Sequence, residues 1–409
     1  MRILPHKWSD WMLDKKIVRV TLTDFYLGVV CIFPVATMLV DEGIVNKFLF
    51  TLLLGLQVAM LFDRPLKKKT FVLLLLLIVN FVYTLSNTEF PMENSNLLVY
   101  YPFYMVYTYF MCDNWETVLF WFKKNRRFVF SILMIWTVLV GFSILLPGSY
   151  YVKEGGNTYF GSFVASIFRL GQAAMFIQAL AIIMQTIYGY KKAFFFNLVP
   201  MYCYFMGSSR TYLVLGLCLM AVSWYLYCSK PRLFWSTIIP SAAVVLVLLG
   251  MTSMGEKIAY TLDDERYGDF WFRITSSRSL LWEVDMLEWG VSPMLSKLLG
   301  CGIEFTILAS GRWAHNDFIE IICSFGIVGV VHYVYSIGHL FASGRKRAKM
   351  PFIVSVCLFM AWFFNAFFNM HYVYICAMLC YPFLYLSVKE YFAERNANAA
   401  MLKEPEISK

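Results

Sequence analysis

Three short stretches of this chain combine arginine with small polar side chains where a helix is expected to begin: Ser208-Ser209-Arg210-Thr211, Ser276-Ser277-Arg278 and Arg312-Trp313-Ala314-His315-Asn316. A helix N-terminus leaves backbone N–H groups without intrahelical partners and carries a partial positive charge, so it attracts anions. Arginine adds two parallel donors that match phosphate oxygens, a geometry lysine does not offer. The chemistry suggested is the holding of a phosphate or pyrophosphate. Each arginine also has a plainer alternative. Arg210 suits an interfacial anchor that snorkels to headgroups, and Arg278 suits pairing with Glu283 on its own helix.

His315 is one of five histidines, with His6, His332, His339 and His371. A lone loop histidine is commonly a surface residue, but Asn316, Asp317 and Glu320 follow within one helical turn. Imidazole accepts a proton near neutral pH, Asp317 or Glu320 could orient it, and Glu320 could itself be the base. Asn316 has the side chain of an N-cap for the helix that follows. Arg169 sits inside an apolar run, where an ionisable group is costly unless it faces a bundle interior or cavity, and it joins Arg312 as a candidate substrate contact. No His/Cys cluster or Asp-x-Asp pair supports a metal, and Asp263-Asp264-Glu265 reads as a solvated acidic turn. With no P-loop and no dinucleotide-binding glycine motif, direct use of a nucleotide is not expected and no cofactor is implied. Any reaction must draw on a preactivated substrate.

The elements that hold these residues are expected to be membrane spans. Of 409 residues, 60% are hydrophobic and 15% charged, and mean hydropathy is +0.62. Soluble chains carry about 25% charged residues, so a cytosolic domain, a secreted disulfide scaffold and a disordered chain are excluded. Apolar runs predict twelve spans, at about 22–40, 48–62, 70–86, 97–112, 128–147, 161–189, 193–207, 211–228, 233–252, 317–342, 351–370 and 372–388. The fold class is therefore all-α and polytopic, one integral membrane domain over 1–409. The first 20 residues lack a small-residue cleavage site, so the first span is expected to be an uncleaved anchor.

The net charge of +9 would suit nucleic acid in a soluble protein, but the basic residues cluster between apolar runs. Most fall in alternate loops, while the short loops of the opposite set hold only Lys47 and Lys153, which predicts cytoplasmic termini. One long external segment, 253–316, then faces the other side and carries Lys257, Arg266, Arg273, Arg278, Lys297 and Arg312. Within it, 276–289 places Leu280, Leu281, Val284 and Leu287 at helical spacing, an amphipathic helix for the membrane–water boundary with Trp282 and Trp289 available to the interface. Nine of the ten cysteines lie in apolar runs as small hydrophobes. Cys301 is external and has no evident partner, so no disulfide is expected. No internal repeat is seen, which argues against transporters built from duplicated halves.

The segment from His315-Asn316-Asp317-Phe318-Ile319-Glu320 to Gly326-Ile327-Val328-Gly329 resembles the HN…LE…GxxG start of a late span in bacterial O-antigen polymerases and O-antigen ligases. Ser277-Arg278-Ser279, the Gly300-Cys301-Gly302 turn and Ser209-Arg210-Thr211 follow that family's order. The resemblance covers roughly 205–330, and 303–314 departs from the pattern. It implies a glycosyltransferase of the bacterial inner membrane, working at the periplasmic face without metal or nucleotide. The donor it implies is a glycan on undecaprenyl pyrophosphate, and a chain-length regulator protein is an implied partner. Arg210 and Arg278 would bind the pyrophosphate and stabilise it as it leaves, and His315 would deprotonate or orient the acceptor hydroxyl. Polymerase is favoured over ligase because the external segment is compact. A lipid-linked oligosaccharide flippase is the alternative from a different class.

Overall fold

The computed structural model describes residues 21–39, 44–64, 66–89, 96–152, 158–161, 167–207, 209–228, 230–252, 254–255, 258–259, 269–344, 349–370 and 375–401. Long apolar sequence that must satisfy its backbone without water has one local solution, the helix, and the chain is helical nearly throughout. Leu22–Leu39, Ile44–Asp63, Lys68–Ser86, Asn96–Asp113, Arg126–Ser143, Ile167–Thr186, Arg210–Cys228, Pro231–Gly250, Asp317–Ala342, Phe352–Asn369 and Ile375–Met401 each overlap an expected span. Among the described residues six helices are long and apolar enough to cross a membrane: Lys68–Ser86, Arg126–Ser143, Arg210–Cys228, Pro231–Gly250, Asp317–Ala342 and Phe352–Asn369. The run expected at 193–207 is built in two pieces. Lys191–Asn197 is a 3-10 helix, and the α-helix Leu198–Gly207 covers only about 15 Å. One departure from all-α is a small antiparallel hairpin, Tyr150–Val152 with Thr158–Phe160.

Ile167–Thr186 lies at the centre, buried from Leu170 to Thr186 and packed against Leu198–Gly207, Arg210–Cys228 and Ile375–Met401. Two glycines let neighbours approach closely. The Tyr212 ring lies 2.3 Å from where a Cβ on Gly171 would sit, and the Tyr204 ring 2.1 Å from the same place on Gly216. Tyr204 donates to Gln178 Oε1 at 2.9 Å, and Gln178 Nε2 donates to the Gly216 carbonyl at 3.2 Å, so the buried amide is satisfied across three helices. Arg210–Cys228 packs along Phe352–Asn369. Tyr107 donates to the carbonyl of Leu379 at 2.7 Å. Pro231–Gly250 stands apart, with 6% of its apolar window buried.

Many of the basic loop residues gather at one end of the bundle. There Lys67 Nζ and His339 Nε2 approach Asp113 Oδ1 at 3.6 and 3.4 Å, Lys124 pairs with Asp24 at 3.1 Å and Lys123 with Glu394 at 3.3 Å. At the opposite end four short helices, Phe270–Thr275, Arg278–Val291, Met294–Leu299 and Phe305–Ser310, occupy the described part of the segment expected outside. Lys257, Arg266 and the Asp263-Asp264-Glu265 run lie outside the described residues.

Asp317–Ala342 is not one straight rod. Gly326, at φ 70° and ψ −172°, interrupts it. Tyr333 donates to Asp317 Oδ2 at 2.5 Å across 16 positions, whereas an unbroken helix would separate those residues by about 24 Å. The chain therefore doubles back at Gly326, and 317–325 and 327–342 are two arms of a V. Only glycine fits the apex. A Cβ there would meet the Leu298 carbonyl oxygen at 2.5 Å and Gly300 N at 2.7 Å. The span expected at 317–342 is thus found as a helix broken at Gly326. The fold-back carries Asn316 and Asp317, the N-terminus of the shorter arm, down beside the middle of the longer one.

Candidate functional site

Ser276 and Ser277 both adopt left-handed backbone conformations, with φ of 56° and 66°, and so turn the chain sharply between Phe270–Thr275 and Arg278–Val291. This turn is where the first two arginine sites meet. Arg210, at the start of its helix, donates to the Arg273 carbonyl at 3.3 Å and to the Ser276 hydroxyl. Arg278 donates to the carbonyl of Phe368 near the end of Phe352–Asn369. Two guanidinium groups 68 positions apart in sequence thus flank one pair of serines.

The third site is held against them through Ala314. Trp282 Nε1 donates to the Ala314 carbonyl at 2.5 Å, and Ala314 N–H donates to Glu320 Oε2 at 3.3 Å, so both backbone polar groups of that residue are tied. Glu320 is fixed in turn by Thr306 Oγ1, at 3.1 and 2.9 Å from its two oxygens, and by Ser324 Oγ at 3.3 Å. It is 1% exposed. These bonds give its carboxylate a part in holding the loop, beside the role as base that the sequence leaves open. Asn316 is the N-cap, accepting from Phe318 N at 2.9 Å and Ile319 N at 3.2 Å. Asp317 is buried and receives the Tyr333 hydroxyl.

His315 follows the clamped Ala314 with a left-handed backbone, φ 51°. Its Nδ1 is buried and has no hydrogen-bond partner among the described residues. Burial first, and then the charges of Arg278 and Arg312, lower its pKa from 6.5 to about 4, so the imidazole is neutral at pH 7. Arg312 is exposed on the same loop, its carbonyl accepting from Ser310 Oγ at 3.1 Å. The structure therefore sets Arg210 on the Ser276-Ser277 turn that opens the Arg278 helix, and it sets Arg278 and Arg312 close enough to His315 for their charges to act on it. Arg169 falls in the first turn of Ile167–Thr186 rather than well inside a span, and its side chain lies outside the described residues.

Arg278–Val291 presents Leu280, Val284 and Leu287 outward, as its spacing predicts, but Trp282 is buried in the protein rather than offered to the interface. Asp285 is fully buried beside it. Burial raises its pKa to about 6, with the nearby Ser310 hydroxyl drawing it back only in part, since that hydroxyl bonds to the carbonyls of Thr306 and Arg312. Sequence reasoning did not single out Asp285, Thr306, Trp282 or Tyr333 as parts of the site. Only Trp282 left a signal, one helical turn beyond Arg278. Among the described residues no three His, Cys, Asp or Glu side chains come together in a way that could hold a metal ion.

A neutral imidazole beside several guanidinium groups can bind an oxyanion and receive a proton released next to it. No family model matches the chain, and comparison with curated proteins and with solved structures returns no match.

Proposed function

We propose that this protein is a membrane-integral glycosyltransferase of the O-antigen polymerase type, taking a growing glycan from undecaprenyl pyrophosphate to a lipid-linked repeat unit. The observation that carries the reading is a neutral His315, its Nδ1 without a partner among the described residues, under the charges of Arg278 and Arg312, with Arg210 bound to the serine turn that opens the Arg278 helix. In this reading the acceptor hydroxyl attacks the sugar carbon, the bond to the pyrophosphate oxygen breaks, and the arginines take up the charge that develops on the leaving group. His315 accepts the hydroxyl proton. A bound pyrophosphate offsets the arginine charges that depress its pKa, so its proton affinity rises when substrate is in place.

The same reading assigns twelve spans in the bacterial inner membrane and both termini to the cytoplasm. The basic loop residues Lys67, Lys123 and Lys124, paired with Asp113, Glu394 and Asp24, support it, because such loops are retained on that side. The Arg278 end, with 253–316, then faces the periplasm. There the outward stripe of Leu280, Val284 and Leu287 rests on lipid. The folded-back helix at Gly326 favours a second reading, a flippase for the same lipid-linked glycan, since transporters build midplane sites from broken helices.

The lipopolysaccharide banding pattern of cells with the gene deleted and then restored tests the assignment. Core carrying a single repeat unit in the deletion is the expected result, since ligation proceeds while elongation stops. Bare core with polymer still on its carrier would make the protein the ligase. For the flippase, Arg278→Ala and His315→Ala should leave polymer intact, whereas the polymerase should insert normally and lose it.

A further inference from the structure

Cys301 was expected to stand alone, but the fold sets it against Cys323. Cys301 N–H donates to the Cys323 carbonyl at 3.0 Å. A backbone bond of that length puts the two Cα atoms about 5–6 Å apart, within the span a disulfide bridges. Both thiols are free in this structure, Cys323 buried with its Sγ 3.8 Å from the Asp285 carbonyl, Cys301 partly exposed.

The pairing is held from both sides. A Cβ on Gly300 would meet the Ser324 carbonyl at 2.3 Å, and one on Gly302 would meet that of Asn87 at 2.4 Å, so the turn carrying Cys301 is wedged between the Gly326 apex and the end of Lys68–Ser86. Asn80 Nδ2 donates to the carbonyls of both Leu299 and Phe325, at 2.7 and 2.9 Å, fixing the two strands of chain that carry the cysteines in register. Neither segment has room to slide past the other.

We propose that Cys301 and Cys323 form a redox-controlled disulfide that closes the loop carrying Arg312, His315 and Glu320. The proposal rests on the reading above in one respect, that this end of the bundle faces an oxidising compartment. Formation removes two protons and two electrons from the thiols and joins the sulfurs. The electrons pass to a disulfide of an oxidoreductase or of a small thiol, which leaves as two thiols after exchange through a mixed disulfide on Cys301. Cys323 then displaces the carrier and gives up its contact with Asp285. Burial raises the Cys301 pKa while Ser292 and Lys297 draw it back, which leaves little thiolate at neutral pH and makes a catalysed oxidation the natural route.

The wild-type chain tests this without a variant. Cells expressing the full chain are treated with a membrane-impermeant maleimide, with and without prior reduction, and inverted membrane vesicles are treated in parallel. The membranes are then digested without reduction and the peptides mapped by mass. The expected result is a linked Cys301–Cys323 peptide pair, lighter by two hydrogens than the separate peptides, with Cys301 labelled from outside only after reduction. Labelling from outside without reduction overturns the disulfide and leaves the sidedness standing. Labelling of a free Cys301 in inverted vesicles alone overturns both. Recovery of the two peptides separately alkylated overturns the proposal whatever the sidedness.

Discussion

Replacing Gly326 by alanine should damage this protein out of proportion to the single methyl added. The glycine holds φ 70° and ψ −172°, a conformation that side chains adopt at a cost of about 1–3 kcal/mol. The new methyl would also lie 2.5 Å from the Leu298 carbonyl oxygen and 2.7 Å from Gly300 N, backbone atoms that cannot rotate away, and overpacking of that kind costs a further ~1–3 kcal/mol. The sum is roughly 2–6 kcal/mol, a fall in melting midpoint on the order of 2–7 °C for a chain of this length. Gly338 supplies an internal control, since it lies in the longer arm of the same broken helix and no atom within 4 Å would meet its Cβ. Gly338→Ala should be neutral or stabilising by about 0.5 kcal/mol. Both variants should be melted in one detergent at one scan rate, followed by intrinsic tryptophan fluorescence. Should Gly326→Ala melt with Gly338→Ala, the chain does not double back at 326. The Asp317–Tyr333 hydrogen bond would fall with it. A cycle of Tyr333→Phe and Asp317→Asn gives an independent check, with a coupling of about 1 kcal/mol or more expected for residues in contact and none for residues 24 Å apart, the distance of about 16 helical steps.

The remaining predictions concern the site. With the His315 pKa lowered to about 4, the acid limb of kcat/KM should fall near pH 4–5 rather than at the 6.5 of free imidazole, and Arg312→Ala should move it upward; a limb at 6.5 in both proteins would contradict the placement. If Glu320 only holds the loop, Glu320→Gln keeps an acceptor for Thr306 and should retain activity within about tenfold, whereas Glu320→Ala leaves Ala314 N–H unpaired and should cost about a hundredfold; equal loss in both would make Glu320 the base. Arg278→Lys should lose much of the activity despite keeping its charge, which single-turnover transfer from a lipid-linked donor would read. For Asp285, between 3.8 and about 6 the folded protein holds a proton that the unfolded chain has lost, so stability falls as pH rises through that window. Asp285→Asn should therefore stabilise the fold at pH 8 by about 1–2 kcal/mol once screening is allowed for, read as a higher melting midpoint, and leave the midpoint unchanged at pH 4.

The helices were legible because apolar runs in a membrane have only one way to pair their backbones, and most expected runs were found as helices within a few residues of their bounds, although 193–207 is split into a 3-10 and a short α-helix and the last helix runs 13 residues past its expected end. The break at Gly326 was not. Phe325-Gly326-Ile327-Val328-Gly329 reads as an ordinary apolar stretch, and what forbids a side chain there is a carbonyl 28 positions earlier. The arginine sites were legible one at a time, from Arg beside Ser at a helix start. Their meeting depends on a turn of two left-handed serines that no local pattern announces. Glu320 was legible for the opposite reason, its nearness in sequence to His315. Its hydroxyl partner Thr306, 14 positions away, adds a part in holding the loop that no local pattern announces. Cys301 looked solitary because Cys323 lay hidden in an apolar run.

The hydrogen bond from Tyr107 to the carbonyl of Leu379 sets a timetable for biosynthesis. At about 5–20 residues per second a ribosome needs roughly 15–55 s to travel from the first partner to the second. For that interval the Tyr107 hydroxyl is already in the membrane while its acceptor does not exist, and the face of Ile167–Thr186 that will meet Ile375–Met401 is likewise uncovered. Something must stand in for the last helix while the first ones wait, whether lipid, another helix of the same chain or the insertion machinery. Nascent chains arrested before residue 375 should accordingly linger beside the insertase and become substrates for membrane proteases when released, while chains arrested after residue 401 should not.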